Sequence, residues 1–436
     1  MANTRHMTSS RIGRLSMIGK LASGIVGGMV SEGARQIAQG KRPSIDELLL
    51  TPANARRLTN RLSEMRGAAM KVGQLLSMDS GQILPTEVSD ILAYLRESAH
   101  QMPRSQLVGV LQQAWGDDWQ RHFKQFDFNP IAAASIGQVH RATLPDNQQL
   151  AVKIQYPGIR RSIDSDVDNV ASLLQLFNLI PKQMKLQSVL AEAKKQLHIE
   201  ADYMKEADAL TRFSDHIGSD RRFSVPQVLT PLTTADVLTM TYLDGQAIES
   251  LTDQPLNVRN AAASALLELS LREVFDWGFV QTDPNFANYR YQANSSQIQL
   301  LDFGATRVVS TEQRIAVRTL LHACRQGHRS DIENAAAQVG YLDETDPPIY
   351  RSGIVSLLLD VSEPVRTNGR FNFGRSDLAD RMRDRLIQMR LQEKYWRLPP
   401  ADVLFLHRKL GGLYLLLKRL RARIDVADVL YRLNSV

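Results

Sequence analysis

From Gln281 to Tyr289 the chain reads QTDPNFANY, and LLDFGATR runs from Leu300 to Arg307. Asp283 and Asn288 stand five apart, and Asp302 opens an Asp-Phe-Gly triplet. Carboxylate and amide oxygens are hard ligands of the kind Mg²⁺ selects. Asp302 and Asn288 are expected to hold such an ion. Asp283 is expected to orient a hydroxyl or a water for in-line attack. Upstream, LAVKIQ ends an apolar pair with Lys153, a type and place suited to the oxygens of a nucleotide's α- and β-phosphates. Together these residue types suit transfer or hydrolysis of a phosphoryl group.

The spacing sharpens that reading. An Asp and an Asn with four residues between them, a strand hairpin and then Asp-Phe-Gly is the order of a protein-kinase catalytic loop. YRYQANSSQIQLL supplies the hairpin, with its turn at Ala293–Ser296. AAASIGQVHRATLPDNQQLAVKIQYPG, Ala132 to Gly158, supplies two strands about a Pro145-Asp146-Asn147 turn. Where a kinase loop is rich in glycine, this one has Ala132, Ala133 and Ala134, followed by Ser135. Glycine lets a backbone adopt positive φ and come close to phosphate. Alanine adds a Cβ that restricts both, so the loop is expected to hold a nucleotide differently. A helix read from Val189 to Phe213 offers Glu192, Glu200 and Asp202 as the carboxylate that steadies Lys153. Most helical carboxylates are surface groups, and the choice among these three stays open.

Other elements follow from periodicity. Met1–Val30 carries Arg5, Arg11, Arg14 and Lys20, no acidic residue, and apolar residues at Ile12, Leu15, Ile18, Leu21, Ile25 and Met29. That is a basic amphipathic helix. It suits an anionic membrane surface, an organelle transit peptide, or a helix docked on its own domain. A helix start is expected at Pro43–Glu47, and Leu58, Leu62, Met65, Ala69, Val72 and Leu76 continue at helical spacing. Lys71 and Gln74 share one face of that helix. On spacing alone they read as a solvated pair on a core helix. RFSVPQVL and DVLTMTYLDG read as strands, and Gly245 ends the second as a hinge. The rest is mostly helical. The expected divisions are a basic N-terminal segment (1–40), a helical extension (41–110), a mixed lobe with inserted helices (111–243) and a helical lobe (244–436).

The composition is that of a globular chain. Of 436 residues, 43% are hydrophobic and 23% charged, ample for a core and against disorder over most of the length. Basic residues outnumber acidic ones by 53 to 46, which favours anionic partners. Scattered arginines without interleaved aromatics speak against nucleic acid. The single cysteine, Cys324, excludes an intrachain disulfide framework and fits a reducing compartment. No apolar run approaches the ~18 residues of a membrane-spanning helix.

Seven strings in order, RGAAMKVGQLLSMD, AAASIGQVHRA, LAVKIQYPGI, EADYMKEA, QTDPNFANY, LLDFGATR and FLHRKLGG, resemble the UbiB-type atypical kinases, most of all their coenzyme Q subfamily in mitochondria and related bacteria. The resemblance spans roughly Arg66 to Arg419. It implies an α+β, atypical protein-kinase-like two-lobed fold with an N-terminal helical extension carrying a K-x-G-Q motif. It implies ATP and Mg²⁺ as cofactors, with Lys153 on the phosphates, Asp283 as the catalytic residue, and Asn288 and Asp302 on the metal. Ala132, Ala133, Ala134 and Ser135 match the nucleotide loop, and backbone groups near Thr241 and Leu243 match the adenine-binding hinge. Lys71 and Gln74 match the K-x-G-Q helix that lies across the active site, and Glu200 and Asp202 match an E-x-D motif that meets that helix or the metal. That helix would cover the place where a protein substrate docks, so the implied activity is an ATPase or small-molecule phosphotransferase serving ubiquinone biosynthesis. The implied partners are an anionic membrane surface, other quinone-biosynthesis enzymes or a prenylated quinone precursor; a second copy of the chain is compatible. The implied location is the cytoplasm or the face of an inner membrane, the mitochondrial matrix in a eukaryote. Many bacterial relatives have H-A-D-P-H-P-G-N where this chain has Gln281 to Asn288, and some end in paired membrane helices that RARIDVADVLYRLNSV does not provide. A non-catalytic nucleotide-sensing scaffold is the competing reading. A true protein kinase is disfavoured by the alanine loop and by the lack of an Ala-Pro-Glu segment after Asp302.

Overall fold

The structure is a computed structural model, and it describes residues 52–79, 101–177, 179, 186–392 and 399–433. The amphipathic segment expected at Met1–Val30 and the helix start expected at Pro43–Glu47 lie outside the described residues. The chain divides into two compact units. One holds the residues up to Asp208 with Gln227–Tyr242, and the other holds Ala209–Pro226 with Leu243 onward.

The first unit is built on a four-stranded antiparallel sheet in the order β1 (Gln125–Ala133), β2 (Gly137–Thr143), β3 (Gln149–Gln155) and β4 (Val237–Thr241). Strand side chains alternate between faces. Leu150, Val152 and Ile154 of β3 therefore enter one cluster with Leu107, Leu111, Trp119 and Phe123, while Lys153 points to the other face. The β2–β3 hairpin turns through Asn147 at φ 71°, and the Gln148 N–H donates to Asp146 Oδ1. Asn is one of the few residues that enters this left-handed region routinely. The alternating run expected through ASIGQVHRATL is split, because Ala134 N–H donates to Gly137 O at 2.9 Å and turns the chain there. Gly137 is needed at that point, since a Cβ would run into the Ile154 carbonyl. Inside the cluster, His140 Nδ1–H donates to Asp127 O and its Nε2 accepts from Gln138 Nε2. Burial pushes the His140 pKa below its ordinary value.

Among the described residues six helices belong wholly or partly to this unit: α1 (Pro52–Glu64), α2 (Arg66–Asp79), α3 (Arg104–Trp115), α4 (Ile159–Leu176), α5 (Leu186–Glu200) and α6 (Tyr203–Ile217). Helices α2, α4 and α5 pack on one another. The single helix expected from Val189 to Phe213 is two helices, α5 and α6. The break has a cause. Ala201 O accepts from Gln155 Nε2 at 2.7 Å and from Arg160 Nε at 2.6 Å, which draws the backbone out of the helical ladder. Asp202, a residue type that favours helix starts, then takes the Glu206 N–H on its carbonyl.

In the second unit α7 (Leu256–Arg272) runs into a π-helical turn, Glu273–Trp277, closed by Gly278 at φ 58°. Strand β5 (Phe279–Gln281) follows and pairs with β8 (Thr306–Val308). Between them lies the hairpin of β6 (Tyr289–Gln292) and β7 (Gln297–Leu300), turning where the sequence places it. The strand expected through RFSVPQVL is only Phe223–Ser224, parallel to Ile298–Gln299. Helix α8 (Thr311–Gln326) starts soon after β8, with Ser310 and Gln313 forming a reciprocal capping box. It joins α9 (Arg329–Val339), α10 (Pro348–Val361) and α11 (Leu378–Gln392) around Leu320, Cys324, Ile332, Ala336, Tyr350, Ile354 and Met389. Helix α12 (Ala401–Arg419) and the short α13 (Val426–Arg432) complete the unit.

Candidate active-site groups in the two units

In the first unit, Lys153 Nζ donates to both oxygens of Glu206, at 2.7 and 2.9 Å. The Lys153 side chain is 9% exposed and that of Glu206 1%. Glu206, in the first turn of α6, is therefore the carboxylate that steadies the lysine. The three carboxylates that the sequence offers are engaged elsewhere. Glu200 accepts from Lys71 of α2 and lies 3.4 Å from Ser135 Oγ. Asp202 lies 3.4 Å from Arg160 and 3.8 Å from Lys205, and Glu192 accepts from Gln196 at 3.0 Å. Periodicity cannot show a helix break, so Glu206 was hidden; Asp202 as a helix cap was the signal that would have found it.

The alanine loop is smaller than the sequence implies. Ala132 and Ala133 are strand residues paired with Val139 and Gln138, and only Ala134 lies in the turn with Ser135. Helix α2 comes directly against this turn: a Cβ on Gly67 would stand 3.0 Å from Ser135 O. Lys71 is buried and Gln74 half-buried on the same helix. Glu200 thus ties α2, through Lys71, to the end of the loop, through Ser135. At the expected hinge, the Thr241 N–H donates to Gln227 O at 2.9 Å and is spent within the chain. Leu243 is the first residue of the second unit's main segment.

In the second unit the catalytic-loop residues come together. Asn288 Nδ2 donates to Asp283 Oδ2 at 3.0 Å, and Asp283 Oδ1 accepts from Arg408 at 2.5 Å. The Leu301 N–H donates to Asn288 O, which brings Asn288 beside Asp302. Asp302 Oδ1 accepts from the Gly304 N–H at 3.0 Å, and Phe303 packs on Phe213 with ring centroids 4.6 Å apart. Gln281 Nε2 donates to Asp283 O at 2.8 Å and lies 3.4 Å from Asp302 O. Behind the loop, Glu273 accepts from Lys409 on Oε1 at 2.8 Å and from the Gln281 N–H on Oε2 at 2.9 Å. Burial works against the Lys409 charge, but the Glu273 carboxylate and the Tyr289 hydroxyl outweigh it and hold the ammonium above its ordinary pKa. Arg408, Lys409, Glu273 and Gln281 carry no role in the reading of the sequence. The string FLHRKLGG was distinctive there, but Arg408 lies 125 residues from the aspartate it grips, beyond any local spacing argument.

The donor set fits a magnesium ion. With the Asn288 amide nitrogen turned to Asp283, its oxygen is the group that remains for a cation beside Asp302. Gln281 Oε1 is buried with no hydrogen-bond partner among the described residues, an acceptor suited to a metal-bound water. Among the described residues no cluster of three or more His, Cys, Asp or Glu side chains could hold a metal. Mg²⁺ needs no such cage, since it keeps several waters and takes its other ligands from one or two carboxylates and substrate phosphates.

A kinase-like fold with these groups defines the class. A model of the ABC1 atypical kinase-like domain matches residues 94–336. The chain belongs to the ABC1, or UbiB-type, family of atypical kinases. Within the family it is 37% identical to the mitochondrial atypical kinase COQ8 of Saccharomyces cerevisiae, over 97% of this chain and 84% of that one. It is 35% identical to the mitochondrial atypical kinase COQ8B of Rattus norvegicus, over 98% and 80%. It is 34% identical to the mitochondrial atypical kinase coq-8 of Caenorhabditis elegans, spanning all of this chain and 58% of that one. The fold is also that of the protein in the Rv3197–erythromycin complex from Mycobacterium tuberculosis, at a TM-score of 0.60 and 23% identity over 89% of this chain and 98% of that one. Among the described residues no helix is long and apolar enough to cross a membrane.

Proposed function

We propose that the chain is a Mg²⁺-dependent, ATP-binding atypical kinase that acts as an ATPase or a small-molecule phosphotransferase in ubiquinone biosynthesis at an anionic membrane surface. The observation that carries this is the hydrogen-bonded set of Asp283, Asn288, Gln281 and Asp302. Asp302 and Asn288 would hold the ion, which when bound offsets phosphate charge. Lys153, pointed by Glu206, neutralises the nucleotide's phosphates. Asp283 orients the attacking oxygen of a water or a small hydroxyl compound. Its carboxylate is gripped by Arg408 and Asn288, which fixes the direction of its oxygens. Helix α2, tied to the loop through Lys71, Glu200 and Ser135, supports exclusion of protein substrates. A lipid ligand would relieve that restraint only by binding the released state more tightly.

The test is Mg²⁺-dependent ATP hydrolysis by the full chain, with and without anionic liposomes, beside Asp302→Asn. Hydrolysis that rises with liposomes and falls about 100-fold or more in the variant is the expected result. The Arg408 grip on Asp283 favours one competing reading, a nucleotide-sensing scaffold. ATP binding without hydrolysis under all these conditions would establish that reading instead.

A further inference from the structure

We propose that the buried Lys409–Glu273 pair is a positioning device that fixes Gln281 and, through it, the spacing of Asp283 and Asp302. This rests on the reading that those two aspartates serve one phosphoryl-transfer site. Neither Lys409 nor Glu273 touches the reacting groups, so both are positioning residues.

Three observations lead there. The first is where Glu273 stands. Helix α7 gives way at this residue to a π-helical turn. Such turns are rare and often mark functional sites. The second is burial. The Glu273 and Lys409 side chains are 1% and 3% exposed. A buried ion pair is a poor source of stability, because apolar replacements of similar volume are often neutral or better. What the pair supplies is direction. Both Glu273 oxygens are committed, one to Lys409 and one to the Gln281 N–H. The third is what Gln281 does next. Its side-chain nitrogen reaches Asp283 O and Asp302 O, so one residue joins the two aspartate backbones. Lys409 also belongs to a helix that meets the same loop twice more. Arg408 holds the Asp283 side chain, and Gly412 lies so close to Pro284 that a Cβ there would overlap its ring. Lys409 is the part of that helix that acts on the strand leading into the loop.

The experiment compares two double variants in the full chain. Glu273→Leu with Lys409→Met removes both charges and the acceptor for the Gln281 N–H. Glu273→Gln with Lys409→Met removes both charges but keeps an oxygen for that N–H. The first is expected to bind ATP within about threefold of the wild type while kcat falls about 100-fold, the scale of an ångström-size misplacement. Its amide exchange should quicken locally, at 281–284 and 302–304. The second should recover most of kcat and the slow exchange. Wild-type kcat and exchange in the first variant would overturn the proposal. Should that variant fail to fold, Gln281→Leu gives the decision: kcat that falls with unchanged ATP affinity supports the device, and unchanged kcat overturns it. If the wild type itself hydrolyses no ATP, the proposed activity fails, and the exchange comparison alone still decides whether the pair fixes Gln281.

Discussion

Lys153 shows how far individual residues can be read. Its type and its place after Ala-Val identify it, because the motif is local. Its partner is not local: Glu206 is 53 residues away, on a helix whose start is set by contacts to Ala201 O. The structure gives that place to Glu206 and sets Glu200, one of the three carboxylates the sequence offers, on Lys71 instead. Glu206→Ala removes the carboxylate that both arms of the Lys153 contact reach, and breaking such a buried pair costs about 3–5 kcal/mol. The expected outcome is a marked fall in melting temperature and about tenfold or greater loss of ATP affinity, as a lysine without its carboxylate no longer points at phosphate. Glu200→Ala loosens Lys71 and leaves the Lys153–Glu206 pair intact, so ATP affinity should stay within a few fold. Titration of each purified variant with a fluorescent nucleotide checks both, and equal losses in the two would contradict the assignment.

At the scale of elements, helix α12 is the piece that sequence reading undervalued. Its periodicity marks it as a helix, and nothing in a helical pattern tells which loop it will hold. The hairpin between Asn288 and Asp302 was legible, because strand alternation and a turn are local signals. The split of α5 from α6 was not, since a long apolar period continues through it. Two adjacent glycines in α12 give a direct test. Gly411 is exposed and a Cβ there would meet nothing within 4 Å, whereas a Cβ on Gly412 would overlap Pro284. Gly411→Ala should therefore stabilise the chain by about 1 kcal/mol through helix propensity alone. Gly412→Ala should lose about 1–3 kcal/mol through overpacking and lower ATP turnover as Pro284 and Asp283 are pushed aside. Thermal melts and kcat of the two variants check this; a Gly412 variant as stable and active as Gly411→Ala would show that the loop does not depend on α12.

For the whole molecule, charge is the property that composition alone supplies. The chain carries a formal net charge of +7 at pH 7. Among the described residues no helix is long and apolar enough to cross a bilayer, and the membrane contact proposed above is a surface contact. Basic groups near an anionic leaflet contribute about 1 kcal/mol each, and that attraction reaches only about a Debye length, which shrinks from about 30 Å at ~0.01 M salt to about 3 Å at ~1 M. If surface charge governs the contact, the full chain should sediment with vesicles rich in phosphatidylglycerol at low salt, leave them as salt rises, and ignore vesicles of phosphatidylcholine alone. The liposome stimulation of ATP hydrolysis should decline over the same salt range, because both follow one bound population. Binding that persists at ~1 M salt would instead mean that apolar insertion holds the protein, since hydrophobic burial is not screened. Stimulation that survives after the vesicles have been shed would detach the proposed regulation of α2 from the membrane altogether.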